Sequence, residues 1–116
     1  MDVENMLAEL HAGVCKALAS PRRIQIINLL REGEMHVDEL ASRMGASKGN
    51  VSQHLAILRE KGVVTSRKEG LNVFYRIANP KIIQACDLMR EVMLERLTET
   101  LSATQKLLQV GKKERR

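Results

Sequence analysis

Ser47-Lys48-Gly49-Asn50-Val51-Ser52-Gln53-His54-Leu55-Ala56-Ile57-Leu58-Arg59 is the stretch that decides how this chain folds. Val51, Leu55 and Leu58 recur at four- and three-residue steps, the spacing of one helix face, while Ser47, Lys48, Asn50, Gln53 and His54 fall largely on the other. Ser47 suits an N-cap and Gly62 a stop, so the spacing predicts a helix running to about Lys61. Immediately upstream, His36 to Met44 reads as a short helix with Val37, Leu40, Ala41 and Met44 facing inward. Gly45-Ala46-Ser47 joins the two helices, with Gly45 where a left-handed turn residue is wanted. Two helices on so short a glycine-bearing turn are a helix-turn-helix.

Further upstream, Leu7, Leu10, Val14 and Leu18 predict an amphipathic helix from about residue 3 to 18. Ser20-Pro21 opens the next helix, which carries Ile24, Ile27 and Leu30 and stops at Gly33. Downstream of Gly62 the period changes. Residues 63–68 and 72–77 are β-prone runs, with Glu69-Gly70-Leu71 between them, and they predict a hairpin. Asn79-Pro80 then opens a last helix, its apolar stripe Ile82, Cys86, Met89, Met93, Leu97, Leu101 and Leu108 reaching about Val110. At roughly 1.5 Å per residue it spans about 45 Å, more than a small domain covers alone, so its far half is expected to pack on another chain. The expected fold is mainly α with a small β-hairpin wing, a winged helix-turn-helix over residues 1–110. Residues 111–116 are expected to form a basic disordered tail.

The 116 residues suit one domain, which excludes most multi-domain enzymes. One Phe, one Tyr and no Trp leave an aliphatic core and exclude a large β protein. Two cysteines are too few for a disulfide-stapled scaffold, and no apolar run reaches the roughly 18 residues of a membrane span. The acidic start Met-Asp-Val-Glu-Asn lacks the features of a signal peptide, so the cytoplasm is the expected compartment, with no membrane association. The net charge of +5 is unevenly placed. Residues 41–68 hold Arg43, Lys48, Arg59, Lys61, Arg67 and Lys68 against one acid, Glu60, whereas residues 1–40 are net acidic. The middle third is the candidate anion-facing surface.

Residues 17–24 (Ala-Leu-Ala-Ser-Pro-Arg-Arg-Ile), 33–40 (Gly-Glu-Met-His-Val-Asp-Glu-Leu), 47–59 and 73–76 (Val-Phe-Tyr-Arg) together closely resemble the ArsR/SmtB family of bacterial repressors. The resemblance covers roughly residues 7–97, and Val51-Ser52-Gln53-His54-Leu55 with the aromatic pair downstream is its most specific part. It implies a homodimer joined through the first and last helices, with two fourth helices reading an inverted-repeat duplex DNA operator. The residues suit that role. Ser47 and Lys48 can meet phosphate at a helix N-terminus, and Asn50, Ser52, Gln53 and His54 offer short polar or amide groups, Gln53 being matched to adenine. Arg59, and Arg67 and Lys68 on the hairpin, would reach flanking backbone.

Family members generally release DNA when a metal, metalloid or thiol-reactive signal binds, and this chain departs from the usual sites. The Cys-Val-Cys pattern of the metalloid and lead or cadmium branch is absent, its segment holding His36 and Asp38, two borderline ligands that do not complete a metal site. From Pro80 to Arg116 there is no histidine for the zinc and nickel site, and Asn28 stands at the second-helix cysteine of the sulfur-responsive branch. What remains is Cys15 on the first helix and Cys86 on the last, with His11 one turn before Cys15. Two thiols there suit a disulfide or polysulfide bridge, or As(III) or another thiophilic ion with a third ligand. Cys86 on the apolar stripe and Cys15 beside one also suit buried structural positions, where free cysteine is common. No cofactor is required in either case. Three functions follow: an effector-released repressor, a constitutive repressor with structural cysteines, and a thiol redox enzyme. The last lacks a Cys-x-x-Cys and an adjacent activating base, so no catalytic residue is expected.

Overall fold

The computed structural model describes residues 2–114, and the chain divides into two units, Met1–Ile83 and Gln84–Arg116. The element order is α1 (Val3–Leu18), α2 (Pro21–Leu30), β1 (Met35–His36), α3 (Val37–Met44), α4 (Lys48–Glu60), β2 (Val64–Glu69), β3 (Asn72–Ile77) and α5 (Pro80–Glu114).

Local chemistry sets most of these boundaries. Ser20 caps α2 by accepting from the Arg23 N–H at 3.4 Å, and Pro21 occupies the first turn, where no N–H is needed. Gly45 ends α3 at φ 62°, in the left-handed region. Ser47 caps α4 by accepting from the Asn50 N–H at 3.1 Å. The hairpin turns through two residues, with Gly70 first at φ 62°; Glu69, expected in the turn, pairs with Asn72 instead.

The expected hairpin forms from β2 and β3, and a third strand that the sequence reading lacks extends it. The sheet has three antiparallel strands in the order β1-β3-β2, with Met35 opposite Tyr75 and His36 opposite Phe74. His36 is therefore not the first residue of a helix. It ends β1 and caps α3, its Nδ1 accepting from the Asp38 N–H at 3.0 Å.

The core of Met1–Ile83 joins Ile26 and Ile27 of α2, Leu40 of α3, Val51, Leu55 and Leu58 of α4, and Val63 and Val64 at the start of the wing, all essentially inaccessible. Burying each large aliphatic side chain contributes about 1.5–3 kcal/mol, so this cluster fixes which face of α4 remains outside. Ile24, expected inside, is 42 % exposed; Ile26 takes the inward position beside Ile27. On α1 only Ala17 is buried.

In Gln84–Arg116 the apolar side chains Leu88, Met89, Val92, Met93, Leu94, Leu97, Leu101, Leu107, Leu108 and Val110 of α5 are all exposed. The helix continues through Gly111 to Glu114, where the sequence suggested a disordered tail, and residues 115 and 116 of that tail lie outside the described residues. Among the described residues, no helix is long and apolar enough to cross a membrane.

Candidate nucleic-acid interface

The outward side of α4 follows from its buried side. With Val51, Leu55 and Leu58 in the core, Lys48, Asn50, Ser52, Gln53 and Arg59 are exposed. Asn50 and Gln53 are three residues apart and adjacent on the helix surface, so two amides form one edge within reach of a base pair. The uncapped N–H groups of the first turn and the positive end of the helix dipole sit beside them, where an anion is favoured. Ser47 spends its oxygen as a cap and keeps its hydroxyl proton for a further acceptor.

The cations are not equally available. Lys48 Nζ lies 3.1 Å from Asp38 Oδ1, an exposed pair of small net worth. Arg67 of β2 is held much more firmly. Its Nε donates to Glu34 Oε1 at 2.8 Å, its Nη2 pairs with the same oxygen at 2.6 Å, and its Nη1 donates to Glu69 at 2.7 Å. Its guanidinium also stacks 4.7 Å from the Phe74 ring centroid. The Arg67 hydrogen bond holds the Glu34 carboxyl below the usual range, and the two carboxylates raise the guanidinium pKa further. Arg67, expected to reach DNA, is thus a brace between β2 and the segment entering β1. Lys68 and Arg59 are exposed with no ion pair among the described residues.

His54 also sits differently from its expected place on the open face. It is half-buried, and its Nδ1 accepts from Arg23 Nε at 3.2 Å. Burial lowers its pKa first, and the charges of Arg23 and Arg22 lower it further. Sequence reasoning assigned Arg22 and Arg23 no role. Arg22 Nη1 donates to the Met44 carbonyl at 3.1 Å, and Arg23 Nη1 to the Ala17 carbonyl at 3.2 Å. The signal for them is an adjacent arginine pair in the first turn of a capped helix, but their targets, two backbone oxygens and the His54 ring, are distant groups that no local pattern reveals.

Comparison with known proteins fits this geometry. Residues 20–66 match the model of the bacterial regulatory protein, arsR family. The transcriptional activator HlyU of Vibrio cholerae is 40% identical over 77 residues, 66% of this chain and 71% of HlyU. A biofilm growth-associated repressor of Xylella fastidiosa is 36% identical over 83 residues, 72% of each chain. The chain belongs to the ArsR family of bacterial regulatory proteins. Among solved structures, this ArsR-family chain is similar to a homodimeric winged helix-turn-helix DNA-binding domain from Mycobacterium bovis, described as a possible ArsR-family transcriptional regulator. The TM-score is 0.76 at 36% identity, covering 84% of this chain and 90% of that one. The protein is a transcriptional regulator of ArsR type, with the winged helix-turn-helix fold expected of it. Its relatives are regulators and not thiol redox enzymes.

The candidate effector residues of this ArsR-family regulator lie on several elements. Cys15 is an exposed thiol on α1, and Cys86 is half-buried on α5. His11 is exposed on α1. His36 packs edge-on against Phe74, with ring centroids 5.4 Å apart, and Asp38 pairs with Lys48, so capping and packing account for both. Among the described residues, no group of three or more His, Cys, Asp or Glu side chains is placed to hold a metal ion. Asn28 lines an open hollow on α2 with Leu18 and Ile24.

Proposed function

We propose that this ArsR-family regulator is a repressor that binds duplex DNA as a homodimer, its two α4 helices reading an inverted-repeat operator, and that a thiol-reactive signal at Cys15 and Cys86 releases it. The observation that carries the first part is the exposed Asn50–Ser52–Gln53 edge on a helix whose opposite face is locked in the core, beside a wing that presents Lys68. The homodimer is supported by the apolar side chains that α1 leaves in water, Val3, Met6, Leu7 and Leu10, by the exposed stripe of α5, and by the homodimeric M. bovis domain.

The test uses duplexes that the wild-type protein selects from a randomised pool. Binding is expected to weaken steeply with salt, and footprints to fall on an inverted repeat. Gln53→Ala should relax preference at one position per half-site, losing about 1–3 kcal/mol of discrimination. Lys68→Ala should weaken all sequences alike and reduce the salt slope by about 1. Association that ignores both sequence and salt would sink the reading.

The thiol part is supported by the exposure of Cys15 on α1, where a thiol-reactive signal can reach it. Closing a disulfide with peroxide takes two protons and two electrons from the thiols and leaves two waters. Release of DNA by peroxide, polysulfide or As(III) is expected in the wild type and not in the Cys15→Ser, Cys86→Ser double variant. Equal release from both proteins means that the cysteines are structural.

A further inference from the structure

We propose that Arg23 couples the first helix to the reading helix, and that His54 serves this coupling as a neutral acceptor and not as a group that reads DNA. The inference rests on the DNA-binding function proposed above and names how the reading helix is held.

The geometry is a two-ended clamp. From α2, the Arg23 fork donates Nη1 to the Ala17 carbonyl in the last turn of α1, where helix carbonyls lack intrahelical partners, and Nε to His54 Nδ1 on α4, each at 3.2 Å. Arg22 beside it donates to the Met44 carbonyl at the end of α3. Adjacent arginines therefore brace both helices of the helix-turn-helix, and only Arg23 also grips α1.

A guanidinium donates and never accepts, so His54 Nδ1 must present its lone pair and the proton sits on Nε2. A second proton, on Nδ1, would set two donors face to face and add a third cation beside Arg22 and Arg23. Those two arginines of α2 are the charges that act on the imidazole, and with burial they keep it neutral near pH 7. A displacement of the end of α1, where Ala17 lies two residues after the exposed Cys15 thiol, is thereby transmitted to α4.

The sign of the pH dependence separates this role from direct contact. The folded-state pKa of His54 lies below its ordinary value, so the clamp is intact above that pKa and opens as pH falls through it. Affinity for a duplex selected by the wild type is then expected to hold at neutral pH and to fall by up to about tenfold per pH unit once the pH drops below that lowered pKa. His54→Asn keeps an acceptor near the Nδ1 position and should bind at neutral pH nearly as well as wild type, with the acid-sensitive component gone. Arg23→Lys cannot span both acceptors with its single ammonium. It should bind about tenfold more weakly at neutral pH, without that component. Nitrogen NMR of labelled histidine in the wild-type protein, independent of any variant, should show the Nε2–H tautomer for His54. Acid-strengthened binding that His54→Asn abolishes would make His54 a DNA contact and overturn the proposal, as would identical pH profiles in wild type and His54→Asn, or an Nδ1–H tautomer. A wild-type protein that selects no duplex overturns the DNA-binding function itself, and this inference with it.

Discussion

Replacing Leu97 and Leu101 together by glutamate is expected to convert the dimer to monomers and to weaken operator binding by roughly 100-fold or more. Both side chains are more than half exposed, at 55% and 57%, and they follow Met93, at 47%, along one stripe of α5. The stripe is more apolar than its letters suggest. Thr100 and Thr104 lie on the same side, and each hydroxyl donates to the carbonyl four residues back, that of Arg96 and that of Thr100, at 2.9 Å, leaving the methyl groups outward. A face of this kind buried against a second copy does not tolerate four unpaired carboxylates. The loss of DNA affinity follows from linkage. A half-site contact by one head is weak, and its partner raises overall affinity by about 10²–10⁴ only while the two are joined. Sedimentation velocity should report monomers, and circular dichroism should show retained helix, because the core of Met1–Ile83 contains no α5 residue. A variant that remains fully dimeric would place the interface elsewhere, with the exposed apolar residues of α1 the next candidate.

The parts of this molecule that the sequence announced are those settled by neighbours within about four residues. Ser20 and Ser47 fix helix starts by accepting from N–H groups three residues on, and Gly45 fixes a helix end through a positive φ, all positions legible in the sequence. What escaped depends on distant partners. β1 is two residues long and has no strand-like pattern of its own; it exists because Met35 and His36 find Tyr75 and Phe74 some forty residues later. A basic residue on the hairpin reads from sequence as a DNA contact, but Glu34, which holds Arg67, lies 33 residues away. The exchange of Ile24 for Ile26 has a similar origin: Ile24, Ile26, Ile27 and Leu30 contain two helical spacings, 24–27 and 26–30, and only the partners of a ten-residue helix decide between them.

Leu55→Ala should separate the scaffold of the reading edge from the edge itself. Leu55 is fully buried between its neighbours of the same stripe, Val51 and Leu58. Truncating it removes buried methyl groups and leaves a cavity, at a cost of about 2–5 kcal/mol. A domain of this size holds about 5–15 kcal/mol in all, so Tm is expected to drop on the order of 10–20 °C. Gln53, two residues away, points outward, and Gln53→Ala should leave stability within about 0.5 kcal/mol of wild type while changing base preference. The two variants thus dissociate in opposite directions. Below its lowered Tm, Leu55→Ala should keep the wild-type order of preference among duplexes, with affinity reduced because α4 is held less firmly; Gln53→Ala should keep its Tm and lose the order. Urea unfolding followed by circular dichroism, with the selected duplexes ranked by anisotropy, measures both. If Leu55→Ala reordered the duplexes at an unchanged Tm, base preference would reside in the packing of α4 and not in the amides it displays.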